Sequence, residues 1–184
     1  RLPRNGRGYW RERGRVVHFL DRNLQPAGPV IDLEGDPLLI HSVRSVKVDS
    51  SGTLAILDGN EFRPTCVGSG APATAFRIHL VSPPGKLIRT IDLPPPLDHG
   101  IGGFDFEGQR LLFDHMPPRY SEPPRSTDLY EMDLTTLDCR KVQLPEGESV
   151  YFGRDNARLL DGGKTLKAFD SRDGSIATYH LVPR

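Results

Sequence analysis

Three ten-residue stretches, DSSGTLAILD at 49–58, DFEGQRLLFD at 105–114 and DGGKTLKAFD at 161–170, begin and end on Asp and stand 56 residues apart. A fixed interval of this length marks a chain that builds one supersecondary unit several times, and no other feature restricts the fold as much. Leu57, Phe113 and Phe169 share the penultimate position; Leu54 and Leu166 share another, where Arg110 interrupts the column. Each copy predicts a hairpin. An apolar strand arrives (VRSVKV, GIGGFDF, NARLL), a turn containing Gly supplies a backbone conformation other residues resist, and a second strand leaves (TLAIL, QRLLF, TLKAF). The closing Asp suits a turn, because its carboxylate can accept hydrogen bonds from nearby amides.

A second strand–turn–strand follows the hairpins: FRIHLVSPPGKLIRTIDLP at 76–94 and LYEMDLTTLDCRKVQLP at 129–145, with an unpartnered copy, VVHFLDRNLQPAGPVIDL, at 16–33 and half a copy, IATYHLVPR, at 176–184. The repeating unit is therefore four antiparallel strands, a to d, with b–c loops of variable length. Such a meander at this period predicts an all-β protein of the β-propeller type, two complete blades over about 41–94 and 99–145 and a partial blade at each end, the first without strand a and the last without strand d. Propellers close with about four to eight blades, which leaves three arrangements open: a fragment of a larger ring, two ends that combine into one blade, or self-association that completes the ring. The ending LVPR matches the stub of a thrombin-cut tag and equally the strand c that the repeat expects, since the earlier copy reads HLVSP.

The chain has 24 Lys plus Arg against 24 Asp plus Glu. That balance argues against a nucleic-acid binder, which needs a basic excess to displace counterions. Six of the Arg fall in residues 1–15, read as a basic N-terminal arm ahead of the repeats at 16–184, either solvated or docking an acidic partner or RNA. No apolar run reaches the roughly eighteen residues of a membrane span. Nineteen Gly and 17 Pro, with almost no amphipathic helix pattern, fit many turns and strands. Cys66 and Cys139 allow one disulfide or two free thiols, and neither belongs to a zinc-ligand spacing.

The stretch SVRSVKVDSSGTLAILDGN, then Cys66, then FRIHLVSPPGKLIRTIDLP resembles the Yellow and major royal jelly protein family. Val48, Asp49, Gly52, Leu54, Leu57, Asp58, Cys66 and Pro94 stand at the places that pattern fixes, whereas Ala55-Ile56 replace a bulky Trp-Val and Gly59-Asn60 reverse the order usual after Asp58. The resemblance implies a six-bladed propeller, often secreted, that binds small ligands in a central channel.

Asp58, Asp114 and Asp170 close the same strand in three copies. They form either a ring of carboxylates on one face, able to bind Ca²⁺ or activate water, or a turn cap repeated with the repeat. Asn60 and Glu61 follow Asp58, and His115 follows Asp114, where a His–carboxylate pair would suit general-base work. His99, beside Gly100, Gly102 and Gly103, opens an inner strand facing the channel. His18, His79 and His180 share a place in strand c, too far apart on successive blades to hold one metal, so no metal site is assigned. The Pro-rich loop 116–127 is either a contact surface or a solvated insertion. No GxGxxG, GxSxG, HExxH or phosphate loop occurs. The expected function is a non-catalytic module that presents loops or a central channel to a small-molecule ligand or protein partner, without a cofactor. The alternative is a propeller hydrolase, of lactonase or phosphoesterase type, using loop carboxylates and a divalent cation such as Ca²⁺.

Overall fold

Strands rather than helices follow from the sequence because apolar residues recur at short intervals between Gly, Pro and Asx turns, with no sustained 3.6-residue period. The computed structural model describes residues 9–13, 16–20, 23, 25–32, 43–59, 76–82, 85–97, 100–115, 128–146, 148–152, 156–169 and 173–181. The protein is all-β: every described element except one short 3-10 turn is a strand, and among the described residues no helix is long and apolar enough to cross a membrane. Asn60, Glu61, Cys66, His99, loop 116–127, Asp170 and residues 182–184 lie outside the described residues.

Two compact units divide the chain, Arg1–Leu93 and Pro94–Arg184. The first holds two antiparallel sheets. Strands β1 (Tyr9–Arg13), β2 (Val16–Leu20) and β3 (Pro26–Asp32) form one, in the order β1-β2-β3. Strands β4 (Val43–Val48), β5 (Leu54–Gly59), β6 (Phe76–Val81) and β7 (Leu87–Asp92) form the other, in sequence order. The second unit holds β8 (Ile101–Glu107), β9 (Arg110–His115), β10 (Asp128–Asp133) and β11 (Cys139–Val142) in one sheet, and β12 (Ala157–Leu160), β13 (Thr165–Phe169) and β14 (Ile176–His180) in another. The pairing of β1 with β2, Tyr9 opposite Leu20 through Arg13 opposite Val16, corrects the reading of residues 1–15 as a plain arm. Its Tyr-Trp-Arg-Glu-Arg run supplies the first strand of a three-stranded sheet, and its charge concealed it.

The three hairpins share a spacing but not a turn. Between β4 and β5 five residues intervene, from Val48 opposite Leu54, and Asp49 Oδ1 accepts the N–H groups of Ser51 (2.9 Å) and Thr53 (2.9 Å). Between β8 and β9 only Gly108 and Gln109 intervene, with Gly108 at φ 61°, a conformation that suits a two-residue hairpin and costs glycine nothing. Between β12 and β13 the chain makes a 3-10 turn over Asp161–Gly163. Asp49 thus folds a turn, Asp105 lies inside β8, and Asp161 opens a 3-10 turn. The constant interval belongs to the second strand of each hairpin.

Each unit has its own core. Val46, Leu54, Ile56 and Val81 cluster in the first, with Val43, Val48 and Leu87 packed against them. In the second, Leu112 and Leu129 of one sheet meet Ala157, Leu159, Leu166 and Ala168 of the next, with Val150 and Phe152 between. Burying side chains of this size stabilises by about 1.5–3 kcal/mol each. The reversed Gly59-Asn60 has a packing reason: Gly59 lies opposite Phe76, and a Cβ there would stand 2.5 Å from the Phe76 ring.

Candidate functional site

The alternation of β5 places Leu54, Ile56 and Asp58 on one face, and the register sets His79 of β6 opposite Ile56 and Thr90 of β7 opposite His79. Asp58 and His79 are therefore diagonal neighbours, and three polar groups run across the sheet. His79 Nε2 lies 3.3 Å from Asp58 Oδ2, and His79 Nδ1 lies 3.0 Å from Thr90 Oγ1. Both members of the acid–imidazole pair are 2% exposed, whereas Thr90 is at the surface. Facing an ionised carboxylate, which only accepts, Nε2 is the donor to Asp58, and Nδ1 meets the Thr90 hydroxyl, which can both donate and accept. The row joins a buried acid to a surface hydroxyl.

Asp114 occupies the same repeat position in β9 and does something else. It is fully buried, and its Oδ2 accepts the Phe152 N–H at 2.8 Å. Asp105 acts likewise, its Oδ2 accepting the Leu159 N–H at 2.7 Å while Oδ1 faces Arg158 Nη1 at 3.8 Å. Asp114 and His115 are neighbours in β9, and alternate strand residues project to opposite faces; His115 packs edge-on against Tyr130, ring centres 5.8 Å apart. Asp58 and Asp114 fall in different units.

The histidine column also needs correction. Ile56, Leu112 and Ala168 are spaced by the repeat, and their partners in the third strand are His79, Glu131 and Ala177. His180 stands opposite Thr165, three residues out of step with His79. At the position of His79, Glu131 receives two arginines: Arg110 Nε at 2.6 Å and Arg140 Nη2 at 2.8 Å. Arg110 also donates to the Gly163 carbonyl. The interruption of the leucine column at Arg110 is thus a side chain that ties one sheet to the turn of the next.

A cleft of about 340 Å³ opens in the second unit between β11 and the end of β14, lined by Glu131, Arg140, Lys141, Val142, Gln143, His180 and Leu181. Its cations are partnered: Lys141 Nζ lies 2.8 Å from Asp128, whose hydrogen bond holds the ammonium pKa above its ordinary value. Cys139, beside it in β11, is a free, half-buried thiol whose pKa burial pushes up. Among the described residues no three His, Cys, Asp or Glu side chains gather closely enough to share a cation. Thr90, Glu131 and the cleft were not among the sequence expectations. Cross-strand register was the missing information, and only the Arg110 break pointed toward Glu131.

No protein-family model and no curated protein matches the sequence. Among solved structures the chain resembles the uncharacterized protein lmo1340 from Listeria monocytogenes EGD-e, with a TM-score of 0.52 at 8% identity over 96% of this chain and 48% of that one. It also resembles a chain of Kuenenia stuttgartiensis hydrazine synthase, with a TM-score of 0.54 at 11% identity over 98% of this chain and 51% of that one. The chain spans about half the length of each, and at these identities the likeness concerns the fold alone.

Proposed function

We propose that the four sheets are successive blades of a β-propeller and that the chain is a binding module for a protein partner. The observation that carries this reading is how the buried carboxylates are used: Asp105 and Asp114 each spend an oxygen on a backbone N–H outside their own sheet, which suits a scaffold. The strand order within each sheet, which follows the sequence, and the 56-residue repeat support radial blades. The Yellow-like hairpin at 42–60 supports a six-bladed parent ring. Thermal unfolding with millimolar Ca²⁺ and with EDTA tests the module against a metal hydrolase: the two melting curves coincide for a scaffold, and a Ca²⁺-dependent rise in Tm overturns the reading by mass action.

One observation favours a hydrolytic second reading, the Asp58–His79–Thr90 row, since carboxylate, imidazole and hydroxyl in that order are the elements of an activated nucleophile. It supplies no oxyanion donor that the described residues identify. Thr90→Ala decides: for a scaffold, turnover of a chromogenic ester stays at the background rate in both proteins, and a turnover that the substitution abolishes establishes the second reading.

A further inference from the structure

The polar row of the first unit holds a surface hydroxyl against a base that is itself buried. Thr90 lies on β7, the outer strand of its sheet, and is exposed; His79 on β6 and Asp58 on β5 are each 2% exposed. His79 stands opposite Ile56 on one side and Thr90 on the other, so the imidazole shares a face with the core residues Leu54, Ile56 and Val81, and Thr90 is the outermost member of its row. Both ring nitrogens are engaged, Nε2 with Asp58 Oδ2 at 3.3 Å and Nδ1 with Thr90 Oγ1 at 3.0 Å. In a neutral ring whose proton is on Nε2, Nδ1 carries the lone pair, and it is aimed at the Thr90 hydroxyl. The carboxylate two residues further along β7, Asp92, meets Arg77 at 2.6 Å instead.

A hydrolase of this chemistry uses its imidazole twice, first on the hydroxyl and then on the water that frees the acyl group. Here the second use is blocked, because the ring is buried and the Thr90 oxygen occupies the approach to Nδ1 before and after it reacts. We infer that Thr90 is a self-acylation site, which takes one acyl group from an activated carboxylic ester or thioester and keeps it. Thr90 Oγ1 bonds the acyl carbon, and the bond from that carbon to the leaving oxygen or sulfur breaks. The electron pair departs with the leaving group as an anion, and the Thr90 proton moves to Nδ1, giving an imidazolium that faces the Asp58 carboxylate. Donors with good leaving groups are the substrate class because the departing atom takes no proton in this step. An imidazolium is no base, so water is not activated toward the new ester. Asp58 is a positioning residue: by accepting from Nε2 it keeps the lone pair on Nδ1. The inference is independent of the binding-module reading and departs from the hydrolytic one, which requires turnover.

The test incubates the whole chain with p-nitrophenyl acetate and reads both products, p-nitrophenolate by absorbance and the acetylated residue by peptide mass spectrometry. A burst of about one equivalent per chain is expected, with no steady release above background after it. Thr90 is expected to be acetylated about a hundredfold faster than Thr178, an exposed strand threonine opposite Lys167. Thr90→Ser keeps the hydroxyl and the burst; Thr90→Val keeps the shape of an exposed side chain and loses the burst. Asp58→Asn presents an amide donor to Nε2 and so drives the ring proton to Nδ1. It is expected to slow acetylation by about a hundredfold or more, with the His79 ring nitrogen shifts reporting the exchanged tautomer while the Leu54 and Ile56 amides of the central strand β5 keep their exchange protection. Equal acetylation of Thr90 and Thr178 overturns the inference and makes the row a structural one. So does an Asp58→Asn protein that carries the exchanged tautomer and reacts at the parent rate. Release of p-nitrophenolate well beyond one equivalent, lost in Thr90→Val, overturns it in favour of the hydrolytic reading, so the failures of the two are distinct.

Discussion

A carboxylate that folds a turn does so best while ionised. Asp133 Oδ1 accepts the N–H of Thr135 at 2.7 Å and that of Thr136 at 3.2 Å, and these bonds, led by the one from Thr135, hold its pKa below the ordinary carboxylate value. A folded-state pKa that is depressed contributes stability above the unfolded pKa, and that contribution is lost as pH falls through the folded one. The window therefore lies at and below the normal titration range of Asp. Asp133→Asn keeps an oxygen to accept the same amides but cannot titrate. Its Tm is expected to fall less steeply than that of the parent protein across the acid limb, as measured by circular dichroism melts at a series of pH values. Coincident acid limbs would show that Asp133 titrates alike in both states.

Between elements, the decisive contacts are single side chains that reach from one sheet to the next. Asp105→Ala removes the acceptor of the Leu159 N–H, a buried donor at a strand centre, and is expected to cost about 1–3 kcal/mol; Asp105→Asn, which still accepts, costs less. Urea midpoints of the two variants check the order, and equal losses would mean that the charge beside Arg158, 3.8 Å away, outweighs the hydrogen bond. These links explain what could be read from the sequence and what could not. The hairpins were legible because Gly-containing turns and short apolar runs are local signals, and the strands of 76–94 and 129–145 were legible for the same reason. Strand β1 was not: Arg11, Glu12 and Arg13, three charged residues after Tyr9 and Trp10, looked like a solvated arm. The partners of Asp58, Asp105 and Asp114 lie 21, 54 and 38 residues away along the chain, and nothing local marks such distances. His79 and His180 do not share a position because the third strands pair in different registers, His79 opposite Ile56 and His180 opposite Thr165. Asn60, Glu61, His99 and Asp170 stay expectations outside the described residues.

Across the molecule, one repeat column shows how a repeated sequence acquires unequal duties. Leu57 and Phe113 are 2% and 0% exposed, while Phe169, the same residue of the third hairpin, is 47% exposed. Phe113 stacks on Phe104, ring centres 6.0 Å apart, inside a sheet whose faces are both buried. Phe169 instead faces Ile176, itself 67% exposed, on the side of the last sheet away from its core. Position in the repeat therefore predicts residue type, but position in the array decides energy. Phe113→Ala empties a filled site and is expected to cost about 3–5 kcal/mol, a large part of the stability of a domain this size. Phe169→Ser, at the surface, is expected to fall within about 0.5 kcal/mol of the parent protein. Urea unfolding of both variants reads the contrast directly. Comparable losses at the two positions would require the outer side of the last sheet to be covered in solution, and the loss at Phe169 would then measure what that cover contributes.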